Sequence, residues 1–134
     1  MKNKIAILFA AIVLLAIAVP AIAHNAFAAE YDENKPVKVT GVVTKVEWTN
    51  PHIWFYVDVK DDNGNITNWD LELMSPNTLT RAGWSKRALK AGDQVVVNAY
   101  MAKDGSKRGN ARGSVTLADG RQIFAGNPER GENR

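Results

Sequence analysis

His24 and His52 are the only imidazoles in the chain, and there is no cysteine. That removes thiolate zinc sites, iron–sulfur clusters, cysteine nucleophiles, disulfides and lipid attachment at a lipobox together. What survives is a nitrogen-rich metal site. As the first residue of a processed chain, His24 would offer an α-amine and an imidazole to one ion. A second imidazole from His52 would complete a T-shaped site suited to copper, which stands at the top of the divalent affinity order. Met74, the expected cross-strand neighbour of His52, would add a thioether for the reduced ion. The competing reading makes His24 the mark of a cleavage site and leaves His52 to hydrogen-bond a turn. No cofactor is expected beyond the copper alternative.

A second constellation is Trp54, Tyr56, Asp70 and Glu72. Aromatic plates beside carboxylates suit stacking on a neutral or cationic small ligand, or on a partner protein, while the carboxylates repel phosphate backbones. Cover by the amino-terminal arm or by a helix is the alternative for the two aromatic residues. Asp70 and Glu72, about 7 Å apart along one strand face, have the residue types of a glycosidase pair. A solvated face explains them more simply. A hydrolase using His52 lacks any nucleophile-elbow motif, so no catalytic residue is assigned. Lys103, Lys107, Arg108, Arg112 and Arg121 gather late in the chain and read as a solvated rim, or as a contact for an anionic partner or membrane surface.

The elements that must position these residues come from 134 residues, enough for one small domain. Lys2 and Lys4 precede an apolar run from Ile5 to Val19, 15 residues long, followed by Pro20 and Ala21-Ile22-Ala23. This is the pattern of a secretory signal peptide over residues 1–23, too short for the roughly 20 residues that span a bilayer. Cleavage after Ala23 exposes His24. Cleavage after Ala28, which also follows a small-x-small triplet, deletes it. Without residues 1–23 the remaining 111 residues carry 15 basic and 14 acidic groups. That near-balance and the export signal disfavour nucleic-acid binding, and no stable membrane insertion is expected after cleavage.

Residues 24–36 show no period and read as an extended arm, residues 37–126 as the domain, and residues 127–134 as a disordered tail. In VKVTGVVTKVEW the apolar phase runs through Val37, Val39 and Gly41, then through Val42, Thr44, Val46 and Trp48. The flip predicts a bulge or bend at Gly41. Asn50-Pro51 ends this strand. Ile53, Phe55, Val57 and Val59 give the inner face of the next, and Thr67, Trp69, Leu71 and Leu73 that of a third. Only a three-residue loop of Asp62, Asn63 and Gly64 keeps both apolar phases on one side, pairing Trp54 with Glu72 and Tyr56 with Asp70. Ser75, Pro76 and Gly83 punctuate a short helix, and a further turn runs over SKRALKAGD. A strand over Gln94–Ala102 and a last hairpin turning at Asp119-Gly120 complete the chain. The expected fold is all-β with one short helix between strands 3 and 4: a small antiparallel OB-type barrel of five to six strands.

Taken together, AHNAFAAEYD, VTGVVTKVEWTNPHIWFYVDV, LELMSPNTLTRAGW, LKAGDQVVV and NARGSVTLADGRQIFAG resemble the bacterial exported proteins grouped as domain-of-unknown-function family 6152. The NPH-x-W and SPN-x-L-x-x-x-GW strings carry most of the likeness. Members commonly have two adjacent histidines and a serine where this chain has His24, Asn25 and Ala26. The resemblance implies an exported, small β-rich domain and supplies no activity. The expectation is therefore a periplasmic or secreted bacterial protein, non-catalytic, binding a small ligand or a periplasmic partner. The alternatives are a copper protein using His24 and His52 and, more weakly, a small hydrolase.

Overall fold

The computed structural model describes residues 2–4, 7 and 26–124. His24, the bond after Ala23 and the expected tail lie outside them. The chain divides into two units, Met1–Glu30 and Tyr31–Arg134. In the first, residues 2–4 and 26–30 are helical. Among the described residues no helix is long and apolar enough to cross a membrane.

The second unit is mostly β. Its elements run β1 (Tyr31–Glu47), β2 (Trp54–Lys60), β3 (Ile66–Glu72), α1 (Pro76–Arg81), β4 (Gln94–Ala102), β5 (Arg108–Leu117) and β6 (Gln122–Ile123). The sheet order is β3-β2-β1-β4-β5-β6, and a further β3–β5 pairing closes the first five strands into a ring. The closing pair, Asp70–Glu72 against Arg108–Asn110, is parallel, where an all-antiparallel arrangement was expected. The reason is parity. Directions cannot alternate all the way round a ring with an odd number of strands, so one neighbouring pair must run the same way.

The β2–β3 register sets Trp54 against Glu72, Phe55 against Leu71 and Tyr56 against Asp70, as the matched apolar phases require. Asp61 and Asn65 bracket the loop of Asp62, Asn63 and Gly64, with the Asp61 N–H donating to the Asn65 carbonyl at 2.9 Å. Gly64 takes φ +84° there, a backbone state that costs a residue with a Cβ.

β1 is where the sequence reading needs correction. It begins at Tyr31, inside the segment read as an arm, and Tyr31 pairs with Ala102 while Pro36 pairs with Tyr100. The burial of Tyr31 explains this, since an aromatic residue among acids and lysine is held by the sheet it covers. The inward phase also continues past Gly41 to Val43, and Val42 and Thr44 are exposed. The phase changes at a bulge between Val43 and Lys45. Gly41 has a different role: a Cβ there would meet the Asp58 carbonyl oxygen at 2.0 Å. It marks the close approach where Val42 pairs with Asp58 of β2 on one side and Gln94 of β4 on the other.

The ring encloses one core, in which Phe55, Val57, Leu71, Val97 and Val115 are fully buried. Leu79 of α1 joins it at 1% exposure, so the helix contributes a side chain to the apolar interior. The Ser75 hydroxyl accepts from the Thr78 N–H at 3.2 Å, and Gly83 at φ +92° follows the helix end. SKRALKAGD forms turns, with the Ala88 N–H donating to the Ser85 carbonyl and the Asp93 N–H to the Lys90 carbonyl. It still lowers Leu89 into the core.

Candidate functional site

The outward residues of β2, β3 and β5 fall into two rows: Trp54, Glu72 and Asn110, then Tyr56, Asp70 and Arg108. Strand alternation creates the rows, and the parallel closure brings Arg108 and Asn110 beside the carboxylates.

Glu72 was expected on an exposed face. It is buried at 6%, and its carboxylate is fully used. The Tyr31 hydroxyl donates to Oε2 at 2.5 Å, and the Asn110 side-chain amide donates to the same oxygen at 3.3 Å. His52 Nδ1 bonds Oε1. These partners arrive from the start of β1, from β5 and from the β1–β2 connection, so four separate stretches of chain converge on one carboxylate. Satisfying a buried carboxylate this way avoids the cost of an unpaired charge.

His52 itself is outside this shelter. Its side chain is 49% exposed against 8% for Glu72. Because a carboxylate oxygen accepts, the proton on the neutral ring lies on Nδ1, and Nε2 is left without a protein hydrogen bond among the described residues. The connection that carries His52 contains a cis Asn50-Pro51 bond. The simple register that would set Met74 opposite His52 is not continued beyond the β2–β3 ladder. Ile53 accepts from the Leu73 N–H at 2.8 Å and donates to the Met74 carbonyl at 3.0 Å, so two residues of the returning chain stand against one. Met74 packs against the apolar core.

The second row is arranged as ion pairs and cation–aromatic stacks. Arg108 reaches the Asp70 carboxylate at 3.2 Å and lies over the Trp54 ring, 5.0 Å from its centre. The hydrogen bond and charge of Asp70 raise the guanidinium pKa above its usual value. The Tyr56 hydroxyl donates to Glu47 at 2.9 Å, while Lys45 pairs with Glu47 at 2.6 Å and sits 5.8 Å from the Tyr56 ring centre. Burial, then the Glu47 contact, pushes the Tyr56 phenol up. Hydrogen bonds from Lys45 and Tyr56 hold the Glu47 carboxyl below its ordinary value. The rings of Trp54 and Tyr56 thus each have a cation near them, so a stacking ligand would have to displace or share it.

The structure brings Trp54, Asp70, Glu72 and His52 into one neighbourhood and sends Met74 inward. Tyr31 and Asn110 were missed as site residues, and Arg108 was read only as part of a basic rim, without its place beside Trp54 and Asp70. Tyr31 carried a signal, being a lone aromatic in a charged stretch. Arg108 and Asn110 carried none, because their places follow from which strand closes the ring. No group of three or more metal-ligating side chains occurs among the described residues.

No curated protein and no solved structure is found to match the chain. Its sequence does match one family across residues 11–111, a span that takes in β1 to β4, His52, the Glu72 carboxylate and Asn110. On that match the chain belongs to the family of unknown function DUF6152.

Proposed function

We propose that the protein is an exported, non-catalytic binding module of OB type, and that its ligand is a transition-metal ion, copper foremost, held through His52. The observation that carries this reading is the bond from His52 Nδ1 to the buried Glu72. Metal-binding histidines are characteristically held by a carboxylate on the ring nitrogen that does not touch the metal. The OB-type assignment is supported by the helix between β3 and β4 and by the closed ring of five strands. Export is supported by the opening lysines, the apolar run and the small residues ending at Ala23. The second nitrogen donor set in this reading is the amine and imidazole of His24.

The test has two parts. Intact mass of the protein purified from the periplasm gives the mature start, and a chain beginning at Ala29 rules out His24 as a ligand. Calorimetric titration of Cu2+ into the His24 form should show one tight site, weakened at least tenfold by His52→Ala. Unchanged affinity in His52→Ala refutes the reading.

A small ligand stacked on Trp54 is the second reading. It is favoured by the Asp70–Arg108 pair, which could hand its guanidinium from the ring to a bound carboxylate. The hydrolase alternative has less to draw on. The His–carboxylate pair supplies a base and its orienter, but among the described residues no serine or threonine hydroxyl bonds His52.

A further inference from the structure

The outer surface of β1, β4 and β5 departs from the polar exterior that strand alternation usually gives a solvent-facing sheet. Thr40 pairs with Val96 and Val96 with Thr116, so one outward row crosses three strands without a charge. The next row, Lys38, Asn98 and Ser114, is polar. With Val42, which is 40% exposed, and with Leu117 and Ala118, the uncharged row lines a shallow groove of about 280 Å³. No acidic or basic side chain lines it. Gln94, Leu117 and Ala118 continue into an adjoining pocket that Arg87, Lys90 and Arg121 border. Two of these cations are partnered, Lys90 with Asp93 at 3.0 Å and Arg121, through Nε, with Asp119 at 2.7 Å. Arg87 is exposed, and its guanidinium enters no ion pair or hydrogen bond among the described residues. On the β2 side of the groove, Asp58 stands beside Val42.

We propose that this groove binds a single-chain anionic amphiphile of the fatty-acid class, its chain over Val42, Val96 and Leu117 and its carboxylate at Arg87. Three features choose that occupant. The apolar atoms line a depression, which receives a chain, whereas a bilayer is met by apolar side chains that protrude. The space lies at the low end of ligand-site volumes, about 300 Å³, which favours one acyl chain over two. Charge is graded across the site, with the unpaired guanidinium beyond the apolar floor and a carboxylate at its β2 border, so an anionic head is drawn to Arg87 and turned from Asp58. Covering the valines and Leu117 supplies affinity, and the guanidinium supplies orientation. The groove shares no residue with the His52–Glu72 site, so it stands or falls apart from the metal reading.

Octanoate, kept below its micelle concentration, is titrated into the protein as recovered from cells and followed by 1H–15N correlation spectra. Shifts should saturate and gather at residues 40–42, 87–90, 94–96 and 116–118. Shifts elsewhere, or none, overturn the proposal. Val96→Asp, which sets a charge on the groove floor, should weaken octanoate about tenfold or more. Arg87→Gln lies in an exposed turn and keeps the fold. It should weaken octanoate about three- to fivefold, the scale of an exposed ion pair, and leave octanol binding unchanged. Octyltrimethylammonium, the same chain with a cationic head, should bind more weakly than octanoate. Unchanged octanoate affinity in Arg87→Gln, an equal loss of octanol, or a loss that follows Lys38→Gln instead overturns the proposal. Sedimentation with anionic vesicles in the absence of saturable octanoate binding assigns the face to a membrane and overturns it. Concentration-dependent self-association through the same residues, with no octanoate bound, does so as well.

Discussion

Buried carboxylates are stabilised by their donors, and this gives Glu72 a stability signature separate from any ligand. Replacing it with leucine leaves the Tyr31 hydroxyl, the Asn110 amide and His52 Nδ1 to find other acceptors. Since Tyr31 is 2% exposed, its hydroxyl would lose this carboxylate acceptor in a buried setting. Glu72→Leu is expected to destabilise by about 2 to 4 kcal/mol in urea denaturation, whereas Glu72→Gln, which keeps an acceptor oxygen, should lose less than half of that. An equal loss in the two variants would contradict the network. Glu47 gives a second residue-level expectation with a defined sign. Its carboxyl is held below the ordinary value by Lys45 and Tyr56. A depressed folded-state pKa contributes stability that is present above the unfolded carboxyl pKa and lost as pH falls through the folded one. The stability gap between wild type and Glu47→Gln should therefore be small, present near neutrality, reduced by salt and closed at acid pH. A gap that widens on acidification would show the opposite linkage. The aromatic pair Trp54 and Tyr56 was legible in the sequence by strand alternation; the cations near their rings were not, because Arg108 is 54 positions along from Trp54.

At the level of elements, β1 does the most. One strand of 17 residues serves both β4 and β2, and the crossing needs a residue without a side chain at Gly41. A methyl group there would have to occupy the space of the Asp58 carbonyl, 2.0 Å away. Gly41→Ala should cost about 3 kcal/mol, read from chemical denaturation, because backbone must move and a rotamer change cannot relieve the overlap. A near-neutral outcome would mean that β1 and β2 separate there at little cost. The glycine was visible in the sequence as the point where the apolar phase falters. The bulge lies three residues further on, since a bend and a phase change are separate devices and the valines at 42 and 43 both look apolar. Hairpin β2–β3 was fully legible, because two alternating strands and a glycine-ended loop admit one register that buries both apolar faces. α1 was legible for a similar local reason: Ser75, Pro76 and Gly83 act within their own turn.

For the whole molecule, closure of the ring is what makes the core and the site a single cooperative object. β3 and β5 meet only over a short stretch, yet this seam holds Leu71 against Gly109 on the inside and Glu72 against Asn110 on the outside. A Cβ at Gly109 would lie 3.2 Å from the Ala99 Cβ, so the interior is filled to the wall at this point. Leu71→Ala, at a residue with 0% exposure, should cost about 3 kcal/mol. Circular dichroism and tryptophan fluorescence should still report one coincident transition. Separate transitions would show that the seam opens independently of the rest. Loss of core packing at Leu71 should also loosen Glu72 and so broaden the His52 resonances.

Strand alternation, turn chemistry and capping act over a few residues, so the sequence by itself determined the class of fold, the β2–β3 register, the helix and its place, and the outward row of Trp54, Tyr56, Asp70 and Glu72. Contacts between distant segments depend on which edges meet when the sheet curls. Only the tertiary structure decided that Tyr31 belongs to the sheet, that the closing pair is parallel, that Glu72 is buried, and that His52 turns to this carboxylate while Met74 joins the core. The physical reason is one of range: hydrophobic period is written locally, whereas the partner of a buried charge is supplied by whichever strand completes the ring.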